Sequence, residues 1–89
     1  MKRYYIVFSG RVQGVGFRYT VTNMAKNLHL TGWIRNMTNG NVEMEIQGEE
    51  ASIDLLLNHL LTKSRWIVIE DYSIKELNTK VESTFEIVY

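Results

Sequence analysis

Apolar and polar residues change period along this chain, and each change marks an element. Residues 4–9 are dominated by aromatic and β-branched side chains and lead into the glycine-rich stretch 10–16, which reads as a strand running into a loop. Val21, Met24, Ala25 and Leu28 then recur at the i, i+3, i+4, i+7 spacing of one buried helical face. That helix is expected to start near Phe17 or Arg18, and Gly32 offers a stop just beyond it. Residues 32–36 and 42–47 read as short strands. In the second, Val42, Met44 and Ile46 alternate with polar Glu43, Glu45 and Gln47, so one face is expected to be buried. Between the two strands the pair Asn39-Gly40 tolerates positive φ and predicts a hairpin turn.

Further on, Ile53, Leu56, Leu57, Leu60 and Leu61 form the apolar stripe of a second helix. Glu49, Glu50 and Asp54 lie early and Lys63 and Arg65 late, which complements the helix dipole. Residues 66–69 are a β-prone run that continues into Tyr72 and Ile74, and Phe85, Ile87 and Tyr89 alternate once more. The order is β-α-β-β-α-β plus a short terminal strand. Two such helices can cover one face of an antiparallel sheet, which predicts an α+β, ferredoxin-like sandwich. No linker or repeat interrupts the pattern, so residues 1–89 are expected to form one domain.

Composition narrows the function more than the fold. Ten Lys plus Arg offset ten Asp plus Glu, leaving no overall field to attract nucleic acid or an anionic membrane; any anion site must be local. The apolar run before Ser9 is too short for a membrane span or a signal-peptide core, so a cytoplasmic protein is expected. The chain has no cysteine, which excludes thiolate chemistry and cysteine-based zinc sites, and His29 and His59 stand isolated. No metal is expected.

The stretch Gly10-Arg11-Val12-Gln13-Gly14-Val15-Gly16-Phe17-Arg18 joins a strand to a helix, and there the chemistry concentrates. Free amides at a helix start point toward an anion, and glycines let the backbone curl around it. An arginine in the first turn adds a planar fork of donors matched to phosphate oxygens. No Gly-Lys-Ser/Thr follows, and Tyr19 occupies the place of the third glycine of a dinucleotide motif, so nucleotide binding is disfavoured. From its position alone, Asn36 reads as a turn residue entering the hairpin.

Taken with Gly32-Trp33-Ile34-Arg35-Asn36-Met37-Thr38-Asn39-Gly40-Asn41-Val42 and Gly48 six residues on, the loop resembles that of the acylphosphatases. The family carries Gly-x-Val-Gln-Gly-Val-x-Phe-Arg, matched over residues 10–18, and Gly-aromatic-x-x-Asn-x-x-x-Gly-x-Val-x5-Gly, matched over residues 32–48. The resemblance implies a catalytic pair, Arg18 and Asn36, and a phosphate cradle made by the amides of Gly14, Val15, Gly16, Phe17 and Arg18. It implies in-line attack on an acyl phosphate by a water that Asn36 orients, with no cofactor or metal and with inorganic phosphate as product and inhibitor. A monomer is the expected state. Two departures stand out: Ile34 replaces a smaller residue, and Lys63-Ser64-Arg65-Trp66 replaces a frequent Gly-Pro, leaving Arg65 and Trp66 as candidates for the rim of the site. Trp33, Met24 and Phe17 are expected in the core, His29 and His59 on helix surfaces or edges, and Arg11 and Arg35 in solvent.

Three rival readings remain. A similar domain occurs inside larger carbamoyl-transfer proteins, but no further domain is visible in this chain. An RNA-binding ferredoxin-like domain would place its Gly-aromatic motif on an inner strand with a basic surface, whereas here the motif precedes a helix in a neutral chain. A non-catalytic anion-binding module would keep the loop without turnover.

Overall fold

The computed structural model describes residues 1–62 and 65–89. Its strands are β1 (Lys2–Arg11), β2 (Thr31–Asn36), β3 (Val42–Gly48), β4 (Val68–Leu77) and β5 (Phe85–Ile87), and its helices α1 (Phe17–Asn27) and α2 (Glu50–Thr62). The strands form one sheet in the order β4-β1-β3-β2-β5. Antiparallel pairing holds the first four together, but β5 lies parallel to β2, so the sheet is mixed rather than wholly antiparallel.

Both helices pack on one face of the sheet. Ile6 and Phe8 of β1, Ile34 of β2 and Val42, Met44 and Ile46 of β3 meet Val21 and Ala25 of α1 and Ile53, Leu56 and Leu60 of α2. The register makes this face continuous: Ile6 stands opposite Met44, Phe8 opposite Val42 and Ile34 opposite Met44. Each fully buried aliphatic or aromatic side chain contributes about 1.5–3 kcal/mol, whereas an isolated helix of α2's length is marginal in water, so packing is what holds α2 in place. Its predicted stripe is one residue too wide, since Leu61 is 44% exposed. Lys63, expected near the end of this helix, lies outside the described residues.

Three local expectations are corrected. Helix α1 stops not at Gly32 but at His29, which takes a left-handed φ of 58°. The amides of His29 and Leu30 reach back to the carbonyls of Lys26 (3.2 Å) and Ala25 (2.8 Å), a Schellman closure with buried Leu30 as its apolar clasp. Gly32 instead lies inside β2, where a Cβ would collide with the backbone carbonyl of Glu45. Strand β4 begins at Val68 rather than Trp66, because its partner β1 ends at Arg11, opposite Val68, and Trp66 has no ladder to join. At the other end of the expected first loop, Gly10 belongs to β1, beside a register shift against β4.

The second sheet face is not simply solvated. Glu43 and Gln47 are as buried as their apolar neighbours, and Trp33 lies half-buried on this face, under the Arg35 guanidinium, instead of in the core. Arg3 is 1% exposed here. It donates from Nε to Glu45 (2.8 Å) and from Nη1 to Gln47 (3.2 Å) and Glu82 (2.7 Å). Gln47 in turn exchanges hydrogen bonds with the Lys80 backbone, accepting from its amide at 3.0 Å and donating to its carbonyl at 2.8 Å. These bonds strap the connection between β4 and β5 across the sheet.

Burial alone would raise the Glu82 carboxyl, but the hydrogen bonds and the charge of Arg3 hold it below its ordinary value. Glu43 is likewise lowered, by the Tyr5 hydroxyl and by Arg35. Both groups titrate lower in the folded than in the unfolded chain. The stability they add is complete above the unfolded glutamate value of about 4.3 and is lost as pH falls through the folded values. Urea midpoints should therefore drop as the solution is acidified below that point, and less steeply for Glu82→Gln; parallel curves would remove Glu82 from this account. Arg3→Ala removes a buried cation and leaves the part-buried carboxylates of Glu45 and Glu82 without it, and is expected to lose up to about 3–5 kcal/mol in the same measurement, against no more than about 1 kcal/mol if the pairs behaved as surface ones.

Candidate active site

The loop after β1 is built for an open backbone. Val12 is buried and anchors its start, and Phe17 is buried and anchors its end, meeting Phe8 edge-on at 5.2 Å between ring centroids. Between these anchors Gly14 and Gly16 take φ of 74° and 76°, with open space where a Cβ would stand. Conformation, not crowding, requires glycine there.

Gly16 is also the N-cap of α1, and no side chain caps it. The first helical bond runs from the Thr20 amide to the Gly16 carbonyl (3.0 Å). Among the described residues, no acceptor meets the amides of Gly14, Val15, Gly16, Phe17 and Arg18. The first turn holds no acidic residue; it holds Arg18. A cation at the positive end of a helix is unfavourable by a few tenths of a kcal/mol to about 1 kcal/mol unless an anion joins it. No salt bridge among the described residues involves Arg18; its guanidinium lies over the ring of Tyr89, 5.2 Å from its centroid. An exposed stacking contact of that kind contributes about 0.5–1 kcal/mol, less than a charge-assisted hydrogen bond to an oxyanion, so it would yield to a phosphate.

Asn36 is the last residue of β2, opposite Val42. Its Oδ1 is buried and has no hydrogen-bond partner. A buried amide oxygen left unsatisfied is worth about 1–3 kcal/mol of lost solvation, which a bound water would recover. Arg18, Asn36, Gly14, Gly16 and Phe17 line one cleft of about 250 Å³, together with Val12, Tyr19, Ile87 and Tyr89. The two motifs of the sequence thus meet in one place. Val15 contributes no side chain to the lining and packs half-buried on the core. Arg65 and Trp66 stack on each other and do not line the cleft. Tyr89 and Ile87 were missed as cleft residues, since strand alternation was the only signal they carried. Among the described residues no cluster of His, Asp or Glu could hold a metal ion.

The fold is a ferredoxin-like α+β sandwich with a cleft of free amides and an arginine at its first strand-helix loop. The acylphosphatase family profile matches residues 4–87. The whole chain is similar, at 39% identity over 90 aligned positions, to the acylphosphatase of Geobacillus thermodenitrificans (strain NG80-2), of which it covers 96%. The crystal structure of acylphosphatase from Bacillus subtilis has the same fold at a TM-score of 0.92 and 36% identity, with both chains fully covered. Full-length HypF in its phosphate- and nucleotide-bound form contains it too, at a TM-score of 0.89 and 30% identity, with 99% of this chain matching 12% of that one. The chain belongs to the acylphosphatase family.

The two kinds of glycine are separable by mutation. Gly16→Ala adds a Cβ in open space at positive φ and should cost about 1–2 kcal/mol in urea unfolding while weakening inhibition by phosphate. Gly32→Ala drives a Cβ into the Glu45 backbone and should cost more than Gly16→Ala, with the loss confined to folding. Equal losses for the two variants would contradict the distinction.

Proposed function

We propose that this acylphosphatase hydrolyses acyl phosphates by direct in-line attack of a water, with Arg18 and the amides of Gly14–Arg18 holding the phosphoryl group and Asn36 holding the water. The observation that carries the reading is the buried, unpartnered Oδ1 of Asn36 in the same cleft as an uncapped helix start and an arginine without a carboxylate partner. The Asn36 Oδ1 accepts a hydrogen bond from the water, and the amide stays neutral beside the incoming anion, where an aspartate would repel it. The water oxygen bonds to phosphorus as the bond to the acyl oxygen breaks. The carboxylate leaves with that electron pair, and the water proton passes to the phosphate. A leaving group whose conjugate acid has a pKa of about 4 needs no general acid, and phosphoryl transfer of this kind rests on positioning and charge stabilisation. A cleft whose described lining holds no His, Asp or Glu is compatible with that chemistry.

The near-complete coverage of the Geobacillus relative supports a domain that works by itself. We place it as a monomer in the cytoplasm; no described helix is long and apolar enough to cross a membrane.

With a simple acyl phosphate and EDTA present, Arg18→Ala and Asn36→Ala should each keep the wild-type circular dichroism and lose at least about a hundredfold in turnover. Wild-type rates from either variant would sink its assigned role. Inorganic phosphate should inhibit competitively, and Arg18→Ala should weaken that inhibition. A folded wild type that binds phosphate without turnover would instead mark a regulatory anion site.

A further inference from the structure

Gln13 lies in the cradle loop, yet its side chain turns away from the cleft and toward the β2–β3 hairpin. Its Nε2 donates both protons, one to the carbonyl of Met37 and one to that of Asn41, each at 2.8 Å. Those two carbonyls sit at the two ends of the hairpin turn. The turn is closed on itself by bonds from the Met37 amide to the Asn41 carbonyl (2.8 Å) and from the Gly40 amide to the Met37 carbonyl (3.2 Å). Asn36 immediately precedes Met37. On one side it is held by β3, through its pair with Val42, but on the other β5 pairs only as far as Ile34. The end of β2 that carries Asn36 thus extends beyond its parallel neighbour. Among the described residues, Gln13 makes the only side-chain hydrogen bonds that join the cradle loop to the hairpin.

We propose that Gln13 is a positioning residue that sets the distance between the two halves of the site, the phosphate cradle and the water-holding Asn36. The inference rests on the reading of Asn36 given above. Neither half needs Gln13 to exist. The cradle is shaped by Gly14, Gly16 and buried Phe17, and the Asn36 backbone by its β3 pair. What Gln13 supplies is their separation, and in-line attack is sensitive to that, since a displacement of about 1 Å can reduce a rate by about a hundredfold. Phosphate binding, which involves the cradle alone, is not. An amide is suited to the task because it presents two donors to two carbonyls; an ionised carboxylate there would present only acceptors.

The test uses Gln13→Met, which keeps the length and packing of the side chain and removes both donors, and Gln13→Glu, each made also in the Asn36→Ala background. Gln13→Met is expected to lower kcat by about tenfold to a hundredfold, while the inhibition constant of inorganic phosphate moves by less than about threefold. In the Asn36→Ala background the same substitution should change kcat by less than about twofold, because the group it positions is gone. Gln13→Glu should regain part of its activity relative to wild type as pH falls and its carboxyl becomes a donor to one carbonyl. A wild-type kcat for Gln13→Met beside an inactive Asn36→Ala would overturn the positioning role alone. So would a phosphate constant that weakens in step with kcat, or a loss undiminished in the Asn36→Ala background. Wild-type turnover by Asn36→Ala would overturn the reading of Asn36 and this inference with it.

Discussion

Strand β3 lies between β1 and β2 and pairs antiparallel with both, so β1 and β2 run in the same direction and end at the same edge of the sheet. Two steps of strand spacing separate those ends by about 10 Å. One end releases the cradle loop and helix α1; the other carries Asn36. A glutamine side chain with a hydrogen bond at its end bridges such a gap, as Gln13 does to the carbonyls of Met37 and Asn41. The hydrogen-bond ladder of β3 is therefore what turns two stretches of sequence, separated by a helix, into one site. The apolar face of the same strands, Ile6, Met44 and Ile34, holds that ladder flat against the helices.

Much of this arrangement is legible in the residues. The alternation of Val42, Met44 and Ile46 and the helical spacing of Ile53, Leu56 and Leu60 identify their elements because burial on one face leaves a periodic mark. Gly14 and Gly16 are legible as a loop that needs positive φ. The helix end is not: His29 bears the left-handed turn because Leu30 gains a buried position by it, and a packing gain of that kind has no local signature. Trp33 misleads for the opposite reason. A large aromatic suggests a core position, but its strand parity puts it on the face opposite Ile34, among charged side chains. Asn36 is indistinguishable from a turn residue without its motif. Tyr89 has no motif at all and enters the cleft only because β5 lies parallel to β2.

The cleft lining brings together backbone amides, a guanidinium and a carboxamide. Carboxylates are instead gathered on the other sheet face, where Glu43, Glu45 and Glu82 are matched by Arg35 and Arg3. This partition leaves no described carboxylate side chain in the lining of the cleft that holds Arg18 and Asn36.

The strap held by Arg3 joins residues 79 positions apart, and the segment it fastens delivers β5, Ile87 and Tyr89 to the cleft wall. The loop and α1 lie near the start of the chain, yet part of the wall opposite them comes from residues beyond 80. A copy that lacks its last residues consequently lacks part of the cleft wall.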